Sequence, residues 1–154
     1  SEGLTLALGV AWLDTEIDKW QAVDASNSEW LVQTSYVDAS GGKLAQAPEL
    51  SYVALAGYEW GIAGNYVLGI AADMSFTDET SGGVLKQDAT EDYTIFNARL
   101  SLSDTSGKWK TMLWARNLAD EDYYPSAFRG GNGPYVRSMG MPRTVGVSFS
   151  YSLD

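Results

Sequence analysis

Hydrophobic and polar residues alternate with a period of two through much of the chain, while helical periodicity is weak almost everywhere. Period-two alternation is typical of β-strands with one apolar and one polar face. It predicts six strands, at Gly3–Asp14, Leu50–Trp60, Tyr66–Thr77, Thr94–Ser103, Trp109–Leu118 and Arg143–Leu153. Each has about ten or eleven residues, the length that a tilted strand needs to cross a bilayer, whereas strands of soluble proteins more often have about five or six.

The connections between these strands alternate in length. Gly61–Asn65 and Asp104–Lys108 are short and contain glycine, which tight turns favour. The long connections are Thr15–Glu49, Asp78–Tyr93 and Ala119–Pro142. Outer-membrane β-barrels have short periplasmic turns and long extracellular loops, although soluble up-and-down barrels also have uneven loops. The expected fold class is therefore all-β, an antiparallel up-and-down segment of a transmembrane β-barrel with about six long strands.

The two faces of the predicted strands differ in composition. No charge falls on the apolar face at the strand centres, and the other face consists mainly of small residues, with Val53 and Leu55 as exceptions. Aromatic residues lie toward the strand ends: Trp60, Tyr66, Trp109 and Tyr151 near the short turns, and Trp12, Tyr52 and Phe76 near the long loops. Two aromatic belts around an aliphatic zone favour contact of the apolar face with lipid. A soluble barrel with that face turned inward is the alternative.

Composition excludes several classes of function. The net charge of −10 argues against a nucleic-acid partner, because phosphates attract basic surfaces. The chain has no cysteine and no histidine, so disulfides, thiolate metal sites and the commonest general base are absent. No run of 18 apolar residues predicts a membrane-spanning helix, and the stretch SEGLTLALGV lacks the features of a signal peptide. Neither a paired acid and base nor an activated nucleophile is recognisable, so we expect no enzyme and no cofactor.

Most acidic residues lie in the long connections and at their margins. The triplet Asp120-Glu121-Asp122 offers carboxylate oxygens that suit calcium, but the spacing of an EF-hand is missing. A solvated loop is the preferred interpretation, and no metal site is predicted. The acids are expected to form a charged outer rim.

Candidate ligand-binding residues lie in the same connections. Trp30 and Tyr36 can stack on a sugar or an aromatic ligand, or pack within their own loop. Arg129, Tyr135 and Arg137 belong to the glycine-rich stretch RGGNGPYVR, where the two arginines can bind an anionic ligand. The stretch lacks the G-K-[ST] ending of a phosphate loop, so a flexible loop is the simpler interpretation.

Four stretches resemble TonB-dependent outer-membrane receptors. WKTMLWARNLADEDYY resembles the penultimate strand and its loop, with Asn117, Leu118, Asp120 and Tyr123 at the positions of an Asn-Leu-x-Asp-x-x-Tyr motif. MPRTVGVSFSYSLD resembles the closing strand, which starts at Pro142 and Arg143. QDATEDYTIFNARLSL and LAQAPELSYVALAGYEW resemble two earlier strands. The four occur in the family's order and cover most of the chain from about Ala45.

The resemblance implies a barrel of about 22 strands, closed by an N-terminal plug, in the bacterial outer membrane. Such receptors import scarce nutrients (siderophores, cobalamin or oligosaccharides) with energy from TonB. Residues 1–154 are then expected to be the C-terminal part of the barrel. The expected partners are outer-membrane lipid, the rest of the barrel and plug, and TonB through the plug, with self-association of the isolated chain. The alternatives are a small soluble β-barrel that binds an apolar ligand and a compact membrane barrel with further strands near residues 29–38.

Overall fold

The computed structural model describes residues 3–23, 35–62, 64–81, 89–129 and 135–153, and these ranges contain β-strands and no helix. The strands are β1 (Gly3–Trp12), β2 (Gln21–Val23), β3 (Tyr36–Asp38), β4 (Leu50–Ile62), β5 (Tyr66–Thr77), β6 (Thr80–Ser81), β7 (Ala89–Thr90), β8 (Tyr93–Asp104), β9 (Trp109–Arg116), β10 (Ser126–Arg129), β11 (Tyr135–Ser138) and β12 (Thr144–Tyr151). The all-β prediction is confirmed.

Six long strands form one antiparallel sheet in the order β1-β4-β5-β8-β9-β12. They are the six strands that the alternation predicts, with small differences at their ends. β9 ends at Arg116 because Asn117 has φ 49°, which breaks the extended backbone. β12 begins at Thr144 because the Arg143 amide donates to the Asp120 carboxylate. β1 and β12 are the two edges, so the sheet is open and not closed into a barrel.

Short turns join the long strands at one end of the sheet. Gly64 (φ 84°) lies between β4 and β5, and Gly107 (φ 74°) lies between β8 and β9. Both take a backbone conformation in which a Cβ would be strained. Asp104 also holds the second turn, because its carboxylate accepts from the Trp109 amide at 2.9 Å.

The long connections lie at the other end and contain three small hairpins, β2–β3, β6–β7 and β10–β11. The alternation did not predict these hairpins, because two to four residues are too few to show a period. Tyr36–Asp38 pairs with Gln21–Val23 in a separate two-stranded sheet. It therefore adds no strand to the main sheet, and residues 29–34 lie outside the described ranges.

The pairing register places most apolar residues of the six strands on one side of the sheet. We call this side the apolar face; it comprises Leu4, Leu6, Leu8, Val10, Trp12, Leu50, Tyr52, Ala54, Ala56, Tyr58, Trp60, Ile62, Tyr66, Leu68, Ile70, Ala72, Met74, Phe76, Thr94, Phe96, Ala98, Leu100, Leu102, Trp109, Thr111, Leu113, Ala115, Val145, Val147, Phe149 and Tyr151. The opposite side, the polar face, carries glycine, alanine and serine together with the charges of Glu59, Asp73, Arg99, Lys110 and Arg116. It also carries a minority of larger apolar side chains: Val53, Leu55, Val67, Ile95, Met112 and Trp114. Asp104, the last residue of β8, lies on the same side as the apolar face and is charged, but it is at the turn.

Little of the sheet is covered. Within the described ranges the buried hydrophobic residues are Ala22, Ala39 and Ala127, all in or beside the small hairpins. Leu8 of the apolar face is 73% exposed and Val147 is 70% exposed. The accessible surface is 10520 Å², whereas a compact monomer of this mass, 16.7 kDa, exposes about 7600 Å². As far as the described residues go, the sheet therefore has no hydrophobic core of its own.

No helix in the described ranges is long and apolar enough to span a membrane.

Candidate functional site

A buried asparagine fastens the loop after β9. Asn117 is 2% exposed, and its amide nitrogen donates to the carbonyl oxygens of Glu121 at 2.8 Å and Met141 at 3.0 Å. Its amide oxygen accepts from the Glu121 backbone at 2.9 Å. Its own backbone amide donates to the Asn97 side chain at 3.1 Å. Asparagine suits this position because it tolerates a positive φ and bonds to nearby backbone groups.

Two further contacts close the same loop onto the start of β12. Asp120, with φ 59°, accepts from the Arg143 backbone at 3.0 Å and from its guanidinium at 3.2 Å. Tyr123 lies against Gly140: the Gly140 amide donates to the Tyr123 carbonyl at 2.8 Å, and a Cβ on Gly140 would collide with the ring. Tyr93 of β8 packs on the Tyr123 ring, with centroids 4.6 Å apart. Together Asn117, Asp120, Tyr123 and Arg143 form what we call the loop clasp.

The clasp brings together four of the six residues of the receptor-like motifs. The other two contribute backbone: the Leu118 amide donates to Phe96 at 2.7 Å, and the Pro142 carbonyl accepts from the Thr144 hydroxyl at 3.0 Å. The side chain of Leu118 is 48% exposed. In this chain the motif residues therefore connect the end of β9 to the beginning of β12, its neighbour in the main sheet.

The clasp continues into a hydrogen-bonded network on the polar face. Asp73 accepts from the Asn97 side chain at 2.7 Å and from Arg99 at 3.1 Å. The side-chain oxygen of Asn97 accepts from the Asn117 backbone amide. An unbroken series of hydrogen bonds therefore runs from Arg99 through Asp73 and Asn97 to the loop. Alternation placed Asn97 and Arg99 on the polar face, but their meeting with Asp73 depends on the register between β5 and β8.

The polar face is crowded beside this network. The indole of Trp114 covers Gly146, where an added Cβ would collide with the ring, and its nitrogen donates to the Ser148 hydroxyl at 3.0 Å. The Arg116 guanidinium lies 5.3 Å from the centre of the same ring. Gly69 is buried, and a Cβ there would approach Ser101 to 2.7 Å. Side chains on this face therefore meet across strands. No pattern in the sequence predicts these contacts, because they depend on which strands are neighbours.

At the loop end, the structure brings two of the predicted ligand-binding residues together. The Arg137 guanidinium lies 5.0 Å from the Tyr135 ring and 5.1 Å from the Tyr124 ring. The pKa of Arg137 is raised above its usual value, mainly by a hydrogen bond with the Tyr135 side chain. The Tyr135 hydroxyl donates to the Ala89 carbonyl at 3.1 Å. Arg129 ends β10 opposite Tyr135 of β11.

Of the other two predicted residues, the one that the structure describes does not join this cluster. Tyr36 is 64% exposed and lies on the separate β2–β3 hairpin. Trp30 lies outside the described residues. Among the described candidates, Tyr36 is therefore separate from Tyr135 and Arg137.

Several acidic residues of the long connections lie around one cavity. Glu49, Asp78 and Glu79 line a cavity of about 410 Å³ between residues 41–49 and the β6–β7 hairpin, and Lys43 forms an ion pair with Glu49. Across the described ranges, no group of three acidic side chains has the geometry to hold a metal ion. In the triplet considered for calcium, Asp120 instead binds Arg143.

In comparisons with known proteins, no protein-family model and no curated protein matches this chain. The resemblance to TonB-dependent receptors therefore rests on the motif residues alone.

Proposed function

We propose that the chain is the C-terminal barrel portion of a TonB-dependent outer-membrane transporter that imports a scarce nutrient of the siderophore, cobalamin or oligosaccharide class. The observation that carries this proposal is the broad, exposed and uncharged apolar face. Contiguous exposed apolar surface on this scale is rare in soluble monomers and marks contact with a membrane or another protein. A lipid-facing barrel wall explains both the exclusion of charge and the missing core.

The height of the apolar face supports a membrane rather than a protein partner. Tyr52 pairs with Phe76 near the loops, and Ile62 pairs with Tyr66 near the short turns. Tyr52 and Ile62 lie ten residues apart in β4, which is about 33 Å at about 3.3 Å per residue, or about 25 Å along the normal at a tilt of about 40°. The apolar band of outer-membrane barrels has about this height.

Rings mark both ends of this band. Tyr52 and Phe76 stack with centroids 5.0 Å apart at the loop end. Tyr66 and Trp109 lie 6.0 Å apart at the turn end. The central row contains Ala56, Ala72, Ala98 and Ala115 on four neighbouring strands. Amphipathic rings favour the two membrane interfaces, and small aliphatic residues suit the interior.

The sheet edges support a place in a larger barrel. Soluble proteins protect edge strands with charges, proline or bulges. β1 and β12 contain no charged residue and no proline, and each carries its apolar residues on the same face as the rest of the sheet. Because every pair in this sheet of six strands is antiparallel, β1 and β12 run in opposite directions, as the flanks of an up-and-down barrel segment require.

The loop clasp supports the family assignment more specifically. Asn117, Asp120, Tyr123 and Arg143 match the receptor motifs in sequence and contact one another or the same short segment in space. Motif residues that also contact one another in the structure support the proposed family more strongly than sequence identity at those positions alone.

Membrane insertion is tested by flotation. The purified chain is diluted from urea into buffer with or without vesicles of a short-chain phosphatidylcholine, and the fraction that floats and the far-ultraviolet circular dichroism are measured. We expect strand signal and flotation only with vesicles. A monomer that folds in buffer and stays out of the vesicles would establish the alternative, a soluble barrel enclosing an apolar ligand.

The transport assignment is tested on the gene. The coding region upstream of residue 1 is sequenced, and the intact gene is deleted in a strain with or without TonB. A plug-like sequence and a nutrient-uptake defect that depends on TonB are expected. An upstream region without a plug contradicts the transporter assignment even if the chain inserts into membranes.

A further inference from the structure

A cavity of about 300 Å³ opens on the polar face beside the network that leads to the loop clasp. The polar side chains that line it belong to Asp73, Asn97, Arg99, Trp114, Arg116 and Ser148. We propose that this cavity binds the carboxylate or phosphate group of a small anionic solute, with Arg116 and Arg99 as the charged donors. The site lies on the wall of the sheet and is distinct from the loop cluster around Arg137.

The charge balance of the cavity is opposite to that of the chain. The whole chain has a net charge of −10, but the cavity is lined by two arginines and one acid. Asp73 pairs with Arg99 at 3.1 Å, and among the described residues Arg116 has no carboxylate within ion-pair distance. Arg116 therefore leaves one uncompensated positive charge at the cavity wall. An anion would supply the missing partner.

The remaining contacts position these donors and leave part of their hydrogen-bonding capacity available. The Arg116 guanidinium carbon lies 5.3 Å from the centre of the Trp114 ring, and among the described residues no acceptor is hydrogen-bonded to its N–H groups, so they remain available to a ligand. Arg99 uses one terminal nitrogen on Asp73. Ser148 accepts from the Trp114 indole, which leaves its own hydroxyl hydrogen for a ligand. The wall thus offers charged and neutral donors that converge on one space.

The size of the cavity limits the solute. About 300 Å³ is at the lower end of the range for small-molecule sites. The cavity suits one anionic group and its immediate neighbours rather than a large ligand. The site depends on the register of β5, β8, β9 and β12 alone, so it does not rest on the proposed membrane location.

The test measures binding to the full chain folded in detergent micelles at low ionic strength. Sodium citrate and inorganic phosphate are the two anionic probes, glycerol is the neutral probe, and isothermal titration calorimetry gives the dissociation constants. We expect at least one anion to bind and glycerol not to bind. The better of the two anions identifies the carboxylate or the phosphate as the preferred group.

Three variants separate the site from general charge effects. Arg116→Gln should weaken binding about tenfold, the loss expected for one charge-assisted hydrogen bond. Asp73→Asn should tighten binding several-fold, because it removes a competing anion and releases Arg99. Lys108→Gln removes the same charge as Arg116→Gln, but from the turn at the far end of the sheet, and should change the affinity less than about twofold.

Opposite effects of Arg116→Gln and Asp73→Asn cannot come from a common loss of structure. Circular dichroism of each variant must match that of the original chain, and if Asp73→Asn fails this check the comparison of Arg116→Gln with Lys108→Gln decides. Absence of binding by both anions overturns the proposal. Equal weakening by Arg116→Gln and Lys108→Gln, or weaker binding in folded Asp73→Asn, overturns it as well.

Discussion

A charge placed at the centre of the apolar face should prevent stable insertion, while the same charge one residue later should not. Leu6 and Ala7 are consecutive in the edge strand β1 and point to opposite faces of the sheet. Leu6 is 69% exposed and Ala7 is exposed too, so an arginine at either position meets no steric barrier. Leu6→Arg and Ala7→Arg therefore differ mainly in the solvent that the new charge enters.

The register gives the depth of the substitution. Leu6 pairs with Ala56, which lies six residues from each end of β4. Six residues span about 20 Å along the strand, or about 15 Å along the normal at a tilt of about 40°, which is the middle of the bilayer. An arginine that faces lipid at this depth costs about 2–4 kcal/mol, so Leu6→Arg should lower the folded-to-unfolded ratio about 30-fold to 900-fold.

The assay is reversible urea unfolding in phospholipid vesicles, followed by tryptophan fluorescence. Ala7→Arg should stay within about 1 kcal/mol of the original chain, because its charge faces the polar side. Equal free energies of unfolding for the two variants would refute lipid contact by the apolar face. So would greater stability of Leu6→Arg, which is the result expected if that face meets water.

Three further predictions concern single positions. Asn117→Ala should lower the free energy of unfolding by about 2–4 kcal/mol, because it removes three side-chain hydrogen bonds and leaves alanine at a positive φ; a loss below 1 kcal/mol in urea unfolding would contradict the clasp. Gly146→Ala should cost about 1–3 kcal/mol by overpacking against the Trp114 ring. Gly9→Ala, whose added methyl would lie 3.2 Å from a Val53 methyl carbon, should cost less in the same assay because the approach is less close. Hydrogen bonds from the Ser40 side chain and then from its backbone amide lower the pKa of Asp38. This carboxylate therefore stabilises the β2–β3 hairpin above its unfolded pKa of about 3.9 and loses that effect as pH falls through the lower folded value. Carbon-13 titration should show a smaller shift in Ser40→Ala, which loses the hydroxyl but keeps the backbone amide.

The link between the polar face and the loop follows from the same contacts. Arg99 binds Asp73, Asp73 binds Asn97, and Asn97 binds the backbone of Asn117. An anion that competes with Asp73 for Arg99 would act on the first member of this series. The clasp is therefore the loop element most directly connected to the proposed anion site.

The sequence by itself determined the strands and their faces. Strand length and side-chain parity are local properties, so the six long strands and the uncharged apolar face can be read from alternation, and the two turns from their short length and their glycines. The shifts at strand ends have local causes too, such as the positive φ of Asn117, but they depend on hydrogen bonds to residues far along the chain. The small hairpins escaped prediction because they are too short to show a period.

Tertiary structure alone decided which side chains meet. Asp73 and Arg99 are far apart in sequence, and only the register between β5 and β8 brings them to 3.1 Å. The same holds for Trp114 over Gly146 and for Asp120 with Arg143. A shift of one residue in any pairing would turn every side chain of that strand to the other face. The position of a charged residue in the alternation therefore determines the face on which it lies. Its ion-pair partner depends on the alignment of strands that are distant in the chain.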